Sequence, residues 1–230
     1  MSAICSRSGR CVVFDLDDTL YDEIDFVRSG YRAVADAMLA RYKADCRAFL
    51  KDRWRSRLFD EAFQAAAAAH GLGAEVVTWM IDVYRDHKPV IRTRDGVVEL
   101  LGSLKADDVV LGCITDGRSR TQRAKLESLG LGECFDVVLV SEETGHSKPD
   151  PFNFEEIMRR IDAQRWWYVA DNPLKDFVAP KALGWKTICV RSERAIHAVD
   201  WNKIPDRWKP DWVGAIGEVG DEISGIRENG

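Results

Sequence analysis

The sequence predicts an α/β protein, in which a doubly wound parallel sheet is interrupted after its first strand by an inserted block of helices. Two observations lead to this prediction. From residue 97 to residue 190, short apolar strands alternate with amphipathic helices, as in parallel sheets covered on both faces. From residue 22 to residue 93, apolar residues recur only at helical spacing. We therefore divide the chain into a sheet domain, residues 1–21 and 94–230, and a helical insertion, residues 22–93.

The individual elements follow from the same apolar patterns. A first strand is expected at residues 12–14, where β-branched and aromatic residues stand together without helical spacing. The insertion is expected to hold helices at residues 24–42, 49–69 and 76–84. The sheet domain then continues with helices at 97–104, 119–129, 152–161 and 174–183, which alternate with strands at 109–114, 137–140, 166–170 and 187–190. A short edge strand is expected at residues 211–213.

The composition is that of an ordinary globular protein. The chain has 230 residues and a net charge of −5, and its basic residues are scattered, so it offers no electrostatic footprint for nucleic acid. Its six cysteines show no paired metal-type spacing, and we expect a reduced, cytoplasmic protein. We identify no signal peptide and no apolar run of membrane length.

Carboxylates follow the first strand directly. Side chains alternate along an extended chain, so Asp15 and Asp17 are expected to point to the same side while Leu16 points away. Like charges at that distance repel, and a divalent cation between them, or a proton on one of them, relieves the repulsion. Asp15 then suits a nucleophile that accepts a phosphoryl group, and Asp17 suits a general acid and base. The simpler alternative is a capped strand-to-helix turn.

Two later strands are followed by groups that suit phosphate. Ligands of such sheets bind outside the carboxyl ends of the strands. The turn Thr115-Asp116-Gly117 offers a hydroxyl and backbone amides as a neutral phosphate cradle, although an N-cap would use the same residues. Lys148 stands directly before a proline that fixes the chain direction, and its ammonium would stabilise charge on transferring phosphoryl oxygens. A solvated surface lysine is the alternative.

Two further acids follow the strand expected at residues 166–170. Asp171 stands at the tip of that strand, where it could join Asp15 in holding a hard cation, and Mg²⁺ is the natural candidate. Asp176 falls one turn into the next helix, where it could orient Lys148 or a metal-bound water. Taken singly, both acids could be cap residues.

In this order, the four groups of residues resemble the four motifs of the haloacid dehalogenase superfamily. The match extends over the sheet-forming part of the chain, and the helical block resembles the cap that many members insert between their first and second motifs. One departure is Ala170, where the family usually has glycine. The motifs are Asp15-Leu16-Asp17-Asp18-Thr19, Thr115-Asp116-Gly117, Lys148 with Pro149, and Asp171 with Asp176.

The resemblance implies a Rossmann-like core and a magnesium-dependent phosphatase that works through an aspartyl-phosphate. It implies that Asp15 is the nucleophile and that Asp17 is the acid and base. It further implies that Thr115 and Lys148 contact the phosphate and the transition state. The metal ligands that it implies are the Asp15 and Asp171 side chains and the main-chain carbonyl of Asp17.

The reaction can be narrowed within the superfamily. Dehalogenases lack an acid at the position of Asp17, because a halide leaving group needs no proton, so this acid favours phosphate chemistry. A phosphonate hydrolase would carry a Schiff-base lysine in the cap, and the cap lysines Lys43, Lys51 and Lys88 stand in no recognisable motif. We expect hydrolysis of a small phosphorylated metabolite. A sugar-phosphate mutase and a non-catalytic binding protein are the alternatives, and the oligomeric state is not fixed by the sequence.

The helical insertion is expected to select the substrate. A cap of this kind closes over the core, excludes water and contacts the part of the substrate beyond its phosphate. Its hinges are expected near residues 21–22 and 92–94. Glu23, Arg28 and Tyr31 follow the first motif closely and are candidates for recognising the leaving group, with solvated helix residues as the alternative.

Overall fold

The structure is a computed structural model that describes residues 4–196 and 199–225. The chain forms two compact units. The first unit is made of residues 1–22 and 92–230, and the second of residues 23–91. The second unit is therefore one continuous segment inserted into the first.

The strands that the structure describes all lie in the first unit. In chain order they are β1 (Ile4–Cys5), β2 (Arg10–Phe14), β3 (Val110–Thr115), β4 (Val137–Val140), β5 (Ile161–Asp162), β6 (Arg165–Ala170), β7 (Lys186–Val190) and β8 (Trp212–Gly214). One parallel sheet has the order β4-β3-β2-β6-β7-β8, and β1 pairs in parallel with β5. The parallel sheet expected from the sequence is confirmed.

The helices divide between the two units. The second unit holds α1 (Glu23–Tyr42), α2 (Arg47–Arg55), α3 (Ala62–Ala68) and α4 (Ala74–Asp86). The first unit holds α5 (Val97–Ala106), α6 (Ser119–Ser128), α7 (Ser141–Thr144), α8 (Phe152–Arg160), α9 (Pro173–Asp176), α10 (Val178–Ala182) and α11 (Val219–Ser224). Short 3₁₀ helices lie at Trp201–Lys203, Asp206–Trp208 and Ile216–Glu218. No helix among the described residues is both long and apolar enough to cross a membrane.

The strand order reverses at β2. The chain passes from β2 to β3 and β4 on one side, and then returns to β6, β7 and β8 on the other. In the register of the sheet, Val13 of β2 is paired with Gly112 of β3 and with Tyr168 of β6. Loops that leave the sheet at such a reversal diverge and open a crevice outside the carboxyl ends of the strands. The ends of β2, β3 and β6 therefore frame one site.

The core of the first unit is packed on the sheet. Val13, Ile114 and Tyr168 are fully buried together with Phe154 and Ile157 of α8. Burial of a side chain of this size contributes about 1.5–3 kcal/mol. A Cβ atom at position 112 would come within 2.5 Å of the Ile157 side chain, so glycine there permits the close approach of α8 to the sheet.

The chain passes from the first unit to the second after residue 22 and returns at residue 92, and the residues of the first unit next to these two crossings are hydrogen-bonded to each other. Tyr21 forms an antiparallel backbone bridge with Thr93, and the Arg94 amide donates to the Leu20 carbonyl at 2.9 Å. The Arg94 guanidinium also donates to the Asp22 carboxylate at 2.8 Å. The chain therefore leaves and re-enters the first unit at neighbouring backbone positions.

The second unit has an apolar core of its own. Met38 of α1, Leu50 of α2 and Met80 of α4 are almost fully buried, as the helical spacing of apolar residues requires. A cavity of about 440 Å³ lies between α1 and α2. Arg28 and Tyr31 are among its lining residues, whereas Glu23 is not. Their proposed part in substrate recognition stays a prediction.

Three element predictions need correction. The helix expected over residues 49–69 is two helices, α2 and α3, because Arg57 and Glu61 adopt positive φ angles of 55° between them. Leu58 fits the helical apolar spacing, but it is 53% exposed. Apolar spacing alone therefore missed a turn.

The helix expected at residues 174–183 is likewise split into α9 and α10. Pro180 has no amide hydrogen for a helical bond, which favours a break one turn before it. The helix expected to reach residue 161 ends at Arg160, because Ile161 is extended and pairs with Ile4.

Candidate active site

The sequence-predicted residues of the first unit meet at the crevice. Asp15 directly follows β2, and its amide still donates to the Val169 carbonyl of β6 at 2.9 Å. Thr115 is the last residue of β3, and Asp171 directly follows β6. Because these strands are neighbours, three loops that are far apart in sequence deliver their polar groups to one edge of the sheet.

An acidic cluster occupies this edge. One carboxylate oxygen from each of Asp15, Asp171 and Asp176 lies within 4.8 Å of the others. Asp176 reaches the cluster because the short helix α9 begins directly after Asn172, whose side chain accepts from the Leu174 amide, and has Pro173 at its first position. The Oδ2 atom of Asp176 accepts from the Asn172 amide at 3.1 Å, which fixes the turn.

Lys148 supplies positive charge to the cluster. Its Nζ lies 2.6 Å from an Asp15 oxygen and 2.8 Å from an Asp176 oxygen, and it donates to the Tyr168 hydroxyl at 3.1 Å. Burial alone would lower the pKa of this amine, but Asp15 and Asp176 raise it well above its ordinary value. The ammonium is therefore charged, and it is buried with its partners rather than solvated.

One ammonium does not balance three carboxylates, and the pKa values of two acids reflect this. Burial raises the pKa of Asp15 to about 7. The positive charge of Lys148 acts in the opposite direction, and repulsion from Asp176 and Asp17 raises this pKa further. Burial and repulsion from Asp176 and Asp15 raise the pKa of Asp171 to about 9. A divalent cation would remove this repulsion. Closely spaced carboxylate oxygens are the ligands that hard cations prefer, so the residues present fit such an ion.

Asp17 has the opposite environment. Its Oδ1 accepts from Lys125 Nζ at 2.7 Å and from the Tyr21 hydroxyl, and its Oδ2 accepts from Gln122 Nε2 at 2.8 Å. Burial would raise the pKa of Asp17, but the Lys125 charge and these hydrogen bonds lower it below the ordinary value. The Asp17 carboxylate is therefore outside the acidic cluster, and only its main chain stays available as the predicted metal ligand.

The turn after β3 lies at the crevice, and its polar groups are hydrogen-bonded or ion-paired to other residues of the protein. Thr115 is fully buried, and its hydroxyl oxygen accepts from Gln122 Nε2. The Asp116 carboxylate accepts from the Lys148 amide at 3.2 Å and pairs with Lys175 at 3.0 Å. The Gly117 amide, at a φ of 134°, donates to the Ser141 hydroxyl at 2.9 Å. The phosphate-binding role of Asp116 and Gly117 stays a prediction, and the Asp116 side chain instead orients the Lys148 backbone.

Sequence reasoning missed several residues that hold this site. Gln122 and Lys125 are three residues apart on α6, so the helix presents both to Asp17. The available signal was a polar pair on a helix that directly follows the Thr115 turn. Tyr168 and Lys175 lie inside the strand and the helix that the apolar pattern predicts, and that pattern gives no sign of their contacts with Lys148 and Asp116.

The haloacid dehalogenase-like hydrolase family model matches residues 12–190. A glyceraldehyde 3-phosphate phosphatase from Methanocaldococcus jannaschii is 32% identical over 95% of this chain and 98% of that protein. An N-acetylmuramic acid 6-phosphate phosphatase from Pseudomonas aeruginosa is 28% identical over 89% of each chain. A crystal structure of a putative beta-phosphoglucomutase from Thermotoga maritima, 19% identical, superposes with a TM-score of 0.70 over 94% of this chain and 99% of that chain.

The six-stranded parallel sheet, with polar groups at its carboxyl edge and one inserted helical unit, defines a Rossmann-like α/β protein. The chain belongs to the haloacid dehalogenase-like hydrolase family, because the family model matches residues 12–190, a range that includes the whole inserted unit. The Thermotoga maritima structure is only 19% identical in sequence, so it supports the fold and nothing about the activity.

Proposed function

We propose that the protein is a magnesium-dependent phosphatase that hydrolyses a small phosphomonoester through an aspartyl-phosphate on Asp15. One observation carries the proposal. Two carboxylates that are two residues apart have opposite surroundings, since Asp15 lies among acids and Lys148 whereas Asp17 is surrounded by donors. The two carboxylates can therefore take separate roles, and the donors around Asp17 favour its anion, the form in which it accepts the proton of the attacking water.

In the first half-reaction, an Asp15 carboxylate oxygen attacks the substrate phosphorus. The bond from phosphorus to the ester oxygen breaks, and that oxygen takes a proton from the Asp17 carboxyl group. The alcohol leaves, and the phosphoryl group remains on Asp15. Lys148 is positioned at Asp15, at 2.6 Å, to stabilise charge on the transferring oxygens.

In the second half-reaction, water attacks the phosphorus of the aspartyl-phosphate and gives a proton to the Asp17 carboxylate. The bond from phosphorus to the Asp15 oxygen breaks, and inorganic phosphate forms. This restores the Asp15 carboxylate, and Asp17 is again protonated for the next cycle. Thr115, at the adjacent strand end, is proposed to contact the phosphate oxygens, together with the main chain of Asp116 and Gly117.

Asp15 and Asp171, with the main-chain carbonyl of Asp17, are proposed to hold the Mg²⁺ ion. Asp176 contributes its charge to the cluster and fixes Lys148. When bound, the ion supplies positive charge that offsets both the clustered carboxylates and the phosphoryl oxygens.

The acid at position 17 and the names of the relatives support a proposal for the substrate class. Protonation by Asp17 matters most for an alkoxide, which is a poor leaving group, so the site suits phosphate esters of alcohols. The M. jannaschii and P. aeruginosa relatives are named for glyceraldehyde 3-phosphate and N-acetylmuramic acid 6-phosphate. We propose a small carbohydrate-like phosphate, with the helical unit 23–91 as the cap that selects it.

A cytoplasmic location is proposed from the thiols. All six cysteines are free in the structure, and Cys11, Cys46, Cys113 and Cys189 are buried. Burial raises the pKa of these four thiols, which fits small structural residues rather than reactive ones.

The proposal is tested by phosphate release from a panel of phosphomonoesters with Mg²⁺ or with EDTA. The panel contains glyceraldehyde 3-phosphate, N-acetylmuramic acid 6-phosphate, phosphoserine and p-nitrophenyl phosphate. We expect release that requires Mg²⁺, and a loss of at least about 10⁴-fold in Asp15→Asn. The matched control, Asp82→Asn, replaces an exposed aspartate of α4 and should keep full activity. Unchanged release by Asp15→Asn would exclude the proposed nucleophile.

A further inference from the structure

The Asp17 carboxylate is held at both oxygens by residues that the proposed reaction does not itself use. Lys125 Nζ and the Tyr21 hydroxyl bind Oδ1, and Gln122 Nε2 binds Oδ2. A carboxylate with donors on both oxygens has its rotation about the final side-chain bond restricted. Its direction is therefore set by the protein rather than by water.

Lys125 is buried where it contacts Asp17, and burial of its charge is unfavourable. It is only 4% exposed, although it lies on a helix that has solvent-exposed positions. Removal of an ammonium from water is unfavourable unless a partner compensates, and the Asp17 carboxylate at 2.7 Å is the partner. The Lys125 Nζ also lies 5.9 Å from the centre of the Tyr21 ring, a second favourable contact.

Gln122 connects two of the predicted site residues. Its Nε2 donates to Asp17 from one side, and it also lies in hydrogen-bond contact with the Thr115 hydroxyl oxygen. Asp17 follows β2 whereas Thr115 ends β3, so this one amide links the ends of two adjacent strands. A side chain that only anchored α6 would have no need of both partners.

We infer that Lys125 and Gln122 are positioning residues, which hold the Asp17 carboxylate beside Thr115 in the orientation that proton transfer requires. The inference rests on the proposed role of Asp17 as acid and base. General acid and base catalysis depends on a hydrogen-bond distance between the carboxyl group and the reacting oxygen, so a freely rotating Asp17 would be a poorer catalyst. Neither positioning residue is expected to touch the substrate.

The test is a double-mutant cycle between Lys125→Met and Asp17→Asn. We expect Lys125→Met to lower kcat on an alkyl phosphate by on the order of 10- to 100-fold, with KM changed less than about threefold. In the Asp17→Asn background the same substitution should change kcat less than about twofold, because the group that it positions is gone. All four variants are measured on the same alkyl phosphate, at enzyme concentrations high enough to keep the rates of the Asp17→Asn variants measurable.

Further variants separate positioning from folding. Lys125→Arg keeps a cationic donor and should recover most of the kcat lost in Lys125→Met. Gln122→Met removes the second donor and serves for the same cycle if Lys125→Met does not fold, as judged by its thermal unfolding. Lys186→Met, which replaces an exposed lysine of the same unit, is the matched control.

An equal loss from Lys125→Met in both backgrounds would overturn the inference, because the effect would then not pass through Asp17. A loss expressed in KM alone would overturn it as well. Failure of the proposed function looks different: Asp15→Asn would then retain phosphate release. If Asp15→Asn abolishes phosphate release while the effects of Lys125→Met and Asp17→Asn are additive, the proposed function stands and only the positioning role is rejected.

Discussion

The two sides of the loop after β2 differ in how their charge is balanced. On the Asp15 side, three carboxylates meet one ammonium, and the pKa values of Asp15 and Asp171 rise to about 7 and about 9. On the Asp17 side, one carboxylate meets three donors, and its pKa falls. The residues on both sides are largely buried, so burial alone does not explain the difference.

The difference shows which part of the site the chain completes with its own residues. A buried carboxylate is stable as an anion when protein donors reach it, as at Asp17. Where donors are too few, the charge has to be balanced by protons or by a cation, and this is the condition of the acidic cluster. The four predictions below test this contrast.

The largest effect is expected from Lys148→Met. This change leaves three clustered carboxylates without the ammonium that contacts two of them. We expect the free energy of unfolding, measured by urea denaturation in EDTA, to fall by about 3–5 kcal/mol.

Addition of Mg²⁺ should recover part of that loss. Lys125→Met, on the Asp17 side, should show no comparable recovery, and the exposed control Lys186→Met should change neither quantity. Equal recovery by Mg²⁺ in the two buried-lysine variants would contradict the contrast between the sides.

The second effect concerns the cation itself. Mg²⁺ at about 100 times its dissociation constant should raise the melting temperature of the wild type by about 5–10 °C. Asp171→Asn should abolish this shift, because it removes a ligand. In EDTA the same variant should melt above the wild type, because it also removes repulsion within the cluster. Differential scanning fluorimetry measures both quantities, and an Mg²⁺ shift retained in full would exclude Asp171 from the site.

The third effect is a pH dependence. The pKa of Asp171 rises from 3.8 to about 9, so between these values the folded state binds more protons than the unfolded state. The stability contributed by this group therefore decreases as the pH rises through that window. In EDTA, we expect the urea midpoint of the wild type to fall more steeply from pH 5 to pH 8.5 than that of Asp171→Asn. Parallel profiles would show that Asp171 does not carry the effect.

The smallest effect is expected from Tyr168→Phe. The hydroxyl contacts Lys148 Nζ at 3.1 Å, and Lys148 keeps both carboxylate partners without it. We expect kcat for the best substrate to fall about 2- to 10-fold, with KM little changed. Tyr42→Phe, which alters a half-buried tyrosine of the second unit, is the matched control. A fall in kcat as large as the one measured for Lys148→Met on the same substrate would mean that the hydroxyl, rather than the carboxylates, holds the lysine.

The sequence was most informative where chemistry is tied to strand ends. Asp15, Thr115 and Asp171 could be placed together because parallel strands bring their carboxyl ends to one edge, whatever the separation in sequence. Lys125 and Gln122 could not be paired with Asp17 in this way. Their contact depends on the rotation and tilt of α6 against the sheet, which the apolar pattern of one helix does not define.

Turns were the other weak point of the sequence reasoning. The stretch at residues 56–61 has enough apolar residues to continue a helix, but Arg57 and Glu61 adopt left-handed backbone conformations there. Neither is a residue type that signals such a conformation. Ile161 was read as the end of a helix because an apolar residue at that spacing fits a helix and a short strand equally well.

The backbone bridge between Tyr21 and Thr93 closes the two ends of the inserted segment against each other. Because the chain departs and returns at adjacent positions, the intervening segment can be lengthened, shortened or exchanged without a change in the strand register of the sheet. Substrate choice and bond-breaking chemistry would then evolve as separate modules. The same junction offers a graft point, at which a helical unit from another family member could be installed to redirect this catalytic edge toward a new ester.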